Sequence, residues 1–358
     1  MLKPGATIGI LGGGQLGRML AQAAARLGLN CHVFSSEANA CSAQVVPRFT
    51  RAEFSDHAAL EKFAQDCDVI TYEFENVPAE SASFLAARKP VLPDPAVLAT
   101  TQDRLIEKSF VANLGIPTAP FAGVATAAEL AAAVAKIGLP AVLKTRRLGY
   151  DGKGQMTIRP GDSPEKAWSE LRQAPCILEG FVPFERELSV VVARTRDGAV
   201  ECFEVTENEH RNHILHRSKV PAAAPAPVAD EARRIAERIA GAFEYVGVLA
   251  VELFLVRDGI GHRVLVNEIA PRVHNSGHWT LDGASISQFE QHIRGIAGWP
   301  LGKPVRHGRV EMTNLIGPEV ETYPQWLSVP GATVVLYGKG EARPGRKMGH
   351  VTRVFRDE

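Results

Sequence analysis

The chain has no excess of either charge: Lys plus Arg and Asp plus Glu are 40 each over 358 residues. Nothing global therefore draws it to nucleic acid or to a membrane surface. No apolar run approaches the ~20 residues that a bilayer-spanning helix needs. Glycine interrupts the N-terminal MLKPGATIGILGGG before a signal-peptide core can form. Cys31, Cys41, Cys67, Cys176 and Cys202 are scattered with no C-x-x-C pair. That argues against a disulfide framework or a zinc site and for a reducing cytoplasm. A G-x-x-x-x-G-K-S/T phosphate loop is missing, and no Ser-His-Asp order or nucleophilic cysteine stands out. What is present is length and apolar content, 45% hydrophobic, enough for a large core in two or three domains.

The stretch from Val246 to Trp279, VGVLAVELFLVRDGIGHRVLVNEIAPRVHNSGHW, is the most informative. Two β-rich apolar runs flank Arg257-Asp258-Gly259 and Gly261, which predicts an antiparallel hairpin packed on a core. Each run carries one carboxylate among its apolar residues: Glu252 in the first and Glu268, after Asn267, in the second. Two carboxylates ~4 Å apart would repel by roughly 4 kcal/mol at an effective dielectric near 20. The expectation is that a cation sits between them. An oxygen-only donor set with Asn267 alongside suits Mg²⁺ held together with substrate phosphates. Strand charges facing solvent are the alternative.

At the N-terminus the apolar run Thr7 to Leu11 enters Gly12-Gly13-Gly14-Gln15-Leu16-Gly17. Leu16, Met19, Leu20, Ala23 and Leu27 then recur at helical spacing, up to Gly28. Strands at Cys31 to Phe34 and Asp68 to Tyr72, the latter after a helix from Asp56 to Gln65, continue the alternation. It predicts a parallel α/β domain of about 100 residues. Gly12, Gly14 and Gly17 match the G-x-G-x-x-G dinucleotide fingerprint, with Glu37 about twenty residues on. A nucleotide, a sugar phosphate or a bare strand–helix turn would use the same glycines, since the physics asks only for N–H groups at a helix N-terminus. At the carboxyl end of the Asp68 strand, Glu73 or Glu75 in TYEFENVP is placed to reach a ligand.

Pro90 to Pro95 reads as a linker, and Thr126 with Glu129 as the capping box of a helix running to Lys136. Pro140 to Thr145 is a short buried strand carrying Lys144 at its end. It runs into Arg146 to Gln155, a glycine-rich basic loop able to close over phosphates. Cys176 to Val182 is another apolar strand, leaving through Glu179 and Gly180, where the backbone can hydrogen-bond an adenine edge. Glu187 lies in a strand from Glu185 to Arg194, and Glu207-Asn208-Glu209-His210 follows. His210, His213 and His216 do not converge on an extended segment, so they read as solvated or ligand-contacting rather than as a zinc site. Pro221 to Pro227 is a linker, and Glu231 to Phe243 an amphipathic helix. Downstream of Glu268, Ala270 to His278 is a polar loop that reads as a seat for an anionic substrate rather than as core. A helix from Ser285 to Ile296 and strands near Val310 to Ile316 and Thr333 to Tyr337 complete the chain. Lys339 and Arg343-Pro344-Gly345-Arg346-Lys347 form a basic cluster whose rigid geometry favours bidentate phosphate binding.

Together these residues describe an ATP-using site, because phosphoryl transfer asks for positioning and charge neutralisation more than for a covalent nucleophile. GGGQLGRM, TYEFENVP, GYDGKGQ, NEIAPRVHNSGHWT and RPGRKMGH, spread from Gly12 to His350, resemble the N5-carboxyaminoimidazole ribonucleotide synthases, ATP-grasp ligases of purine biosynthesis. The resemblance implies an α/β (α+β) ATP-grasp fold. Its parts would be a Rossmann-like N-terminal domain over 1–100, linker helices and a lid over 101–185, and a C-terminal ATP-grasp domain over 186–358. A cytoplasmic homodimer is implied, without nucleic acid or membrane. The implied reaction takes ATP, bicarbonate and 5-aminoimidazole ribonucleotide (AIR), with Mg²⁺, through carboxyphosphate to N5-carboxyaminoimidazole ribonucleotide, ADP and phosphate.

By the same resemblance, Arg104 and Lys144 contact the ATP phosphates under a lid of Gly149, Tyr150, Asp151, Gly152, Lys153, Gly154 and Gln155. Glu179, Gly180, Phe181 and Val182 form the adenine hinge, with Glu187 and His210 near the ribose and base. Glu252 and Glu268 hold Mg²⁺, with Asn267 beside them as a further ATP-site residue. AIR falls to Gln15 and Leu16 through backbone N–H groups, to Lys339 and Arg346 at its phosphate, and to Tyr150 and Asp151, with Glu73 and Glu75 nearby. Asp151, Lys339, Arg272 and Asn275 are the expected catalytic groups. On this resemblance the glycine loop holds a substrate phosphate and not NAD.

Overall fold

Alternating strands and helices open the computed structural model, which describes residues 1–149, 152–259 and 261–355. They are β1 (Thr7–Leu11), α1 (Gln15–Arg26), β2 (Asn30–Ser35), β3 (Arg48–Arg51), α2 (His57–Gln65) and β4 (Val69–Tyr72). The strands pair in parallel in the order β3-β2-β1-β4. β1, β2 and β4 are almost wholly buried, which is why they read as unbroken apolar runs rather than alternating ones. α1 buries Leu16, Met19, Leu20 and Ala23, the stripe expected from their spacing.

Helices α3 (Ala79–Ala86) and α4 (Pro95–Thr101) lead to α5 (Arg104–Asn113). Asp103 caps α5, its carboxylate accepting from the Leu105 and Ile106 N–H groups. A second sheet follows, built from β5 (Phe121–Val124), α6 (Ala127–Ile137), β6 (Ala141–Thr145), β7 (Gln155–Ile158), α7 (Pro164–Glu170) and β8 (Cys176–Gly180). Its strands are antiparallel in the order β5-β8-β6-β7. Thr126 caps α6 as expected, while Glu129 reaches back to the Ala125 N–H rather than to that of Thr126.

The largest sheet begins with β9 (Arg186–Arg194), β10 (Val200–Cys202), β11 (Thr206–Arg211) and β12 (Ile214–Val220). After α8 (Ala226–Ala242) come β13 (Gly247–Asp258) and β14 (Gly261–Ala270), the antiparallel hairpin expected from sequence. Then follow α9 (Thr280–Gly283), α10 (Gln288–Ala297), β15 (Arg309–Ile316), α11 (Tyr323–Leu327), β16 (Ala332–Leu336) and β17 (Lys347–Phe355). The order is β14-β13-β9-β11-β12-β15-β17-β16, with β10 beside β9. α10 starts at Gln288 rather than Ser285 because Ser287 is its cap, accepting from the Glu290 N–H.

One core joins the first sheet to the largest. Leu20 of α1, Phe289 and Ile293 of α10, and Val248 and Ala250 of β13 belong to the same buried cluster. Each large side chain so buried stabilises by about 1.5–3 kcal/mol, so the N-terminal glycine loop is held at a set place against the C-terminal sheet. Among the described residues no helix is long and apolar enough to cross a membrane.

Candidate active site

Glu252 and Glu268 stand directly opposite each other in the β13–β14 register, beside a bulge between Glu252 and Leu253. Residues so opposed project from one face with Cβ atoms about 5 Å apart. The fold does not leave their charges to a metal alone. His274 Nε2 lies 2.9 Å from Glu252 Oε1, and Arg104 Nη1 donates to Glu268 Oε2 at 2.9 Å. This corrects the expectation that only a cation between them makes the pair tolerable. Burial favours the neutral form of Glu252, yet the imidazoles of His274 and His210 hold its carboxyl well below the ordinary range. Asn267 Oδ1 remains buried without a hydrogen-bond partner. Two carboxylates and an unclaimed amide oxygen are a donor set that fits Mg²⁺. No group of three or more His, Cys, Asp or Glu converges among the described residues, so further ligands would be phosphate and water oxygens.

Arg104 stands first in α5, and its Nη2 donates to Gly149 O in the lid loop at 3.1 Å. One guanidinium therefore ties the lid to the acidic pair. Asp103 grips the base of the same loop, accepting from Arg146 Nε at 2.9 Å and Nη2 at 2.8 Å. Lys144, expected to contact phosphate, donates to Glu179 Oε2 at 2.9 Å. Lys108 lies 3.5 Å from that same oxygen and is only 2% exposed. Sequence reasoning missed Lys108, because a helix lysine ordinarily reads as a solvated charge. Burial works to raise the Glu179 carboxyl, but Lys144 and Lys108 outweigh it and hold it down to about 2. Further along the lid, a Cβ on Gly152, whose φ is +77°, would come within 2.6 Å of His213. The loop thus lies tight against the β11–β12 turn, with Lys153 and Gly154 leading into Gln155 at the start of β7. Tyr150 and Asp151 lie outside the described residues.

That turn is Asn212-His213, with φ of 50° and 64°, the left-handed pair that closes a tight hairpin. It separates the three histidines: His210 on β11, His213 at the tip and His216 on β12. His210 Nδ1 bonds to Glu187 on β9, and burial, which opposes the imidazolium, is overcome by that carboxylate so that the ring's pKa rises. Glu187 and His210 line a cavity of about 680 Å³ together with Phe184, Asn208 and His213, a size that takes a nucleotide. At the hinge, the Gly180 and Phe181 N–H groups are committed to the Pro120 and Pro140 carbonyls. The Val182 N–H has no acceptor among the described residues and is the donor left for a ligand.

The glycine loop is not used as a dinucleotide fingerprint. Glu73 is buried, and its carboxylate accepts from Gly14 N at 2.7 Å and Gly17 N at 3.0 Å. A Cβ on Gly12 would stand 2.4 Å from Glu73 Cγ, so the glycines make room for a carboxylate of this chain. Gln15 and Leu16, in the same first turn, have N–H groups without an acceptor among the described residues, and these remain available to an anion. Both acids of TYEFENVP have partners within the chain. Glu75 pairs with Arg272, whose guanidinium overcomes the opposing effect of burial and holds the Glu75 carboxyl down to about 2. Arg272, expected as catalytic, is thereby committed to an ion pair.

The C-terminal basic segment docks beside this loop, on Gln44 and Arg18. Gln44 Nε2 donates to Gly338 O at 2.8 Å, and Arg18 Nη1 to Gln44 Oε1 at 2.7 Å. Lys339 follows, donating to Lys347 O at 2.8 Å, and burial pushes its ammonium down to about 8. Arg343 and Arg346 line a cleft of about 330 Å³ with Glu37 and Asn39. Glu37, which a dinucleotide reading would place on a ribose, borders the basic segment instead.

The polar loop after Glu268 is largely core, contrary to the expectation that it is poorly suited to be core. Asn275, Ser276 and His278 are all buried. Asn275 bonds to Asn314, the Ser189 hydroxyl donates to Ser276 Oγ at 2.7 Å, and Gln288 brackets the backbone N–H and C=O of His274. The partners come from β9, β15 and α10, distant in sequence, so nothing local announces them. Asn275, expected as catalytic, belongs to this network.

Comparison with known proteins agrees with this arrangement. Residues 5–102 match the ribonucleotide synthetase preATP-grasp domain, 109–289 the ATP-grasp domain, and 311–358 the phosphoribosylaminoimidazole carboxylase C-terminal domain. The chain is 51% identical to an N5-carboxyaminoimidazole ribonucleotide synthase of Brucella melitensis, over 99% of this chain and 97% of the relative. It is 46% identical to that of Pseudomonas aeruginosa, over 96% and 93%. Among solved structures, an ADP complex of such a synthetase superposes with a TM-score of 0.95 at 41% identity, covering 100% of this chain and 94% of the other. An Aspergillus clavatus synthase in complex with ADP and 5-aminoimidazole ribonucleotide gives 0.90 at 30% identity, covering 98% and 94%. The chain belongs to the N5-carboxyaminoimidazole ribonucleotide synthase family of ATP-grasp ligases.

Proposed function

We propose that this chain uses ATP and bicarbonate to carboxylate the amine of AIR, giving N5-carboxyaminoimidazole ribonucleotide, ADP and phosphate in purine biosynthesis. The observation that carries the reading is the meeting of the chain's two ends. The Gly338 segment docks on Gln44 and Arg18, and Arg18 lies in α1 just after the glycine loop, where Gln15 and Leu16 have N–H groups without an acceptor among the described residues. A ribonucleotide phosphate suits that seat. The nucleotide-sized cavity at Glu187 and His210 supports ATP binding there, and the relative bound to ADP and AIR supports the same pair of ligands.

A bicarbonate oxygen attacks the γ-phosphorus, the β–γ bridge breaks, and ADP leaves carboxyphosphate behind. The AIR nitrogen then forms its bond to the carboxyl carbon as phosphate departs, and the amine gives up a proton. Arg104 and Lys144 neutralise the phosphates, and the lid over Gly149 and 152–155 excludes water. Val182, Glu187 and His210 hold the nucleoside. Glu252, Glu268 and Asn267 would hold Mg²⁺, which supplies charge neutralisation at the phosphate oxygens. Lys339 and Arg346 take the AIR phosphate. Asp151 is assigned to the AIR side on resemblance alone. Division into 1–100, 101–185 and 186–358, a homodimeric assembly and a cytoplasmic location complete the reading.

Phosphate release from ATP should require AIR and bicarbonate together, with formate unable to substitute. Release that ignores AIR, or that formate supports, would overturn the proposal.

A further inference from the structure

A single buried carboxylate here faces two ammonium groups. Glu179 Oε2 receives Lys144 Nζ at 2.9 Å and Lys108 Nζ at 3.5 Å, while Glu179 Oε1 is buried without a partner. Two ammonium groups share that one oxygen, so Glu179 keeps a cationic partner when either of them turns away. The two are held differently. Lys108, from α5, is anchored a second time by donating to Val266 O at 3.2 Å, within the core strand β14. Lys144 stands near the end of β6, where the chain passes into the lid, and its side chain is 12% exposed. Glu179 is its partner among the described residues. Were Lys144 the sole counter-ion, turning it toward a phosphate would strand a buried carboxylate, which is strongly unfavourable.

We propose that Lys108 is a positioning residue, the standing counter-ion of Glu179, whose presence lets Lys144 leave that carboxylate and pair with a nucleotide phosphate. The inference rests on the reading above in which Lys144 meets ATP. Lys108 itself touches no substrate; it acts by keeping Glu179 compensated when Lys144 turns away.

The test uses the full-length chain, with ADP affinity measured by calorimetric titration alongside KM for ATP and AIR, kcat and the thermal midpoint. Lys108→Met should weaken ADP binding and raise KM for ATP about tenfold or more, because Glu179 then retains Lys144. KM for AIR should stay within about twofold, and Lys108→Arg should restore ADP affinity to within about threefold. In a Glu179→Gln background, which removes the retaining charge, adding Lys108→Met should change ADP affinity less than about twofold. A lowered thermal midpoint with unchanged ADP affinity would mark Lys108 as merely structural and overturn the proposal. So would equal losses in both backgrounds. If Lys108→Met alone does not fold, the comparison within the Glu179→Gln background and the Lys108→Arg rescue decide. ADP binding needs no AIR, so a parent chain that binds ADP but shows no AIR-dependent turnover would sink the carboxylation reading and leave this test standing.

Discussion

Asn275 and Asn314 exchange hydrogen bonds in both directions, Asn275 Nδ2 to Asn314 Oδ1 at 3.0 Å and Asn314 Nδ2 to Asn275 Oδ1 at 2.7 Å. The Asn314 amide also donates to Leu215 O at 2.9 Å. Both residues are buried, so removing one leaves polar atoms of the other without water or partner. Asn314→Ala is therefore expected to destabilise by about 2 kcal/mol. Urea unfolding measures this, and an unchanged midpoint would mean the pair does not hold the loop.

His292 sets an acid limit on stability. Val248 N–H donates to its Nδ1 at 3.1 Å, which leaves the Nε2–H to face Thr71 Oγ1 at 2.8 Å. Burial pushes the imidazole down to about 4 from an ordinary 6.5. Between those values the unfolded chain binds a proton that the folded chain refuses, so folding weakens as pH falls. The contribution is whole above about pH 6.5 and has lost about 3 kcal/mol by about pH 4. His350, pushed down to about 3 by burial, acts in the same direction. His292→Gln should be less stable than the parent at neutral pH and lose less on acidification. An equally steep fall in the variant would rule His292 out.

Glu268→Gln removes a charge set opposite Glu252 and bonded to Arg104. ATP turnover is expected to drop by about a hundredfold or more, with circular dichroism and thermal midpoint near those of the parent. Turnover like the parent's would count heavily against the metal assignment.

Lys339 should show itself in pH dependence. Its ammonium, pushed down to about 8 by burial, pairs with a phosphate only while protonated. KM for AIR should therefore rise as pH climbs through about 8, while ADP affinity does not. Lys339→Met should raise KM for AIR about tenfold and abolish that rise. A variant that keeps the parent's profile would place the phosphate elsewhere.

Much of the fold was legible beforehand because its signals are local. The α1 stripe, the β13–β14 hairpin and its opposed acids, and the glycine-rich basic lid all follow from spacing over a few residues. The polar loop was misread for the complementary reason. Asn275, Ser276 and His278 look like surface until Asn314, Ser189 and Gln288 are brought to them. The glycine loop was half legible: two of its N–H groups face an anion, but that anion is Glu73 of this chain.

By itself, then, the sequence determined many of the elements and the family motifs. Only the tertiary structure decided which charge answers which. It placed Arg104 on Glu268 across 164 positions of chain and sank Lys108 beside Glu179. It also carried the Gly338 segment back to Gln44, 294 positions away. Periodicity is written along the backbone, whereas the compensation of buried charges and amides is settled between groups that meet only through space.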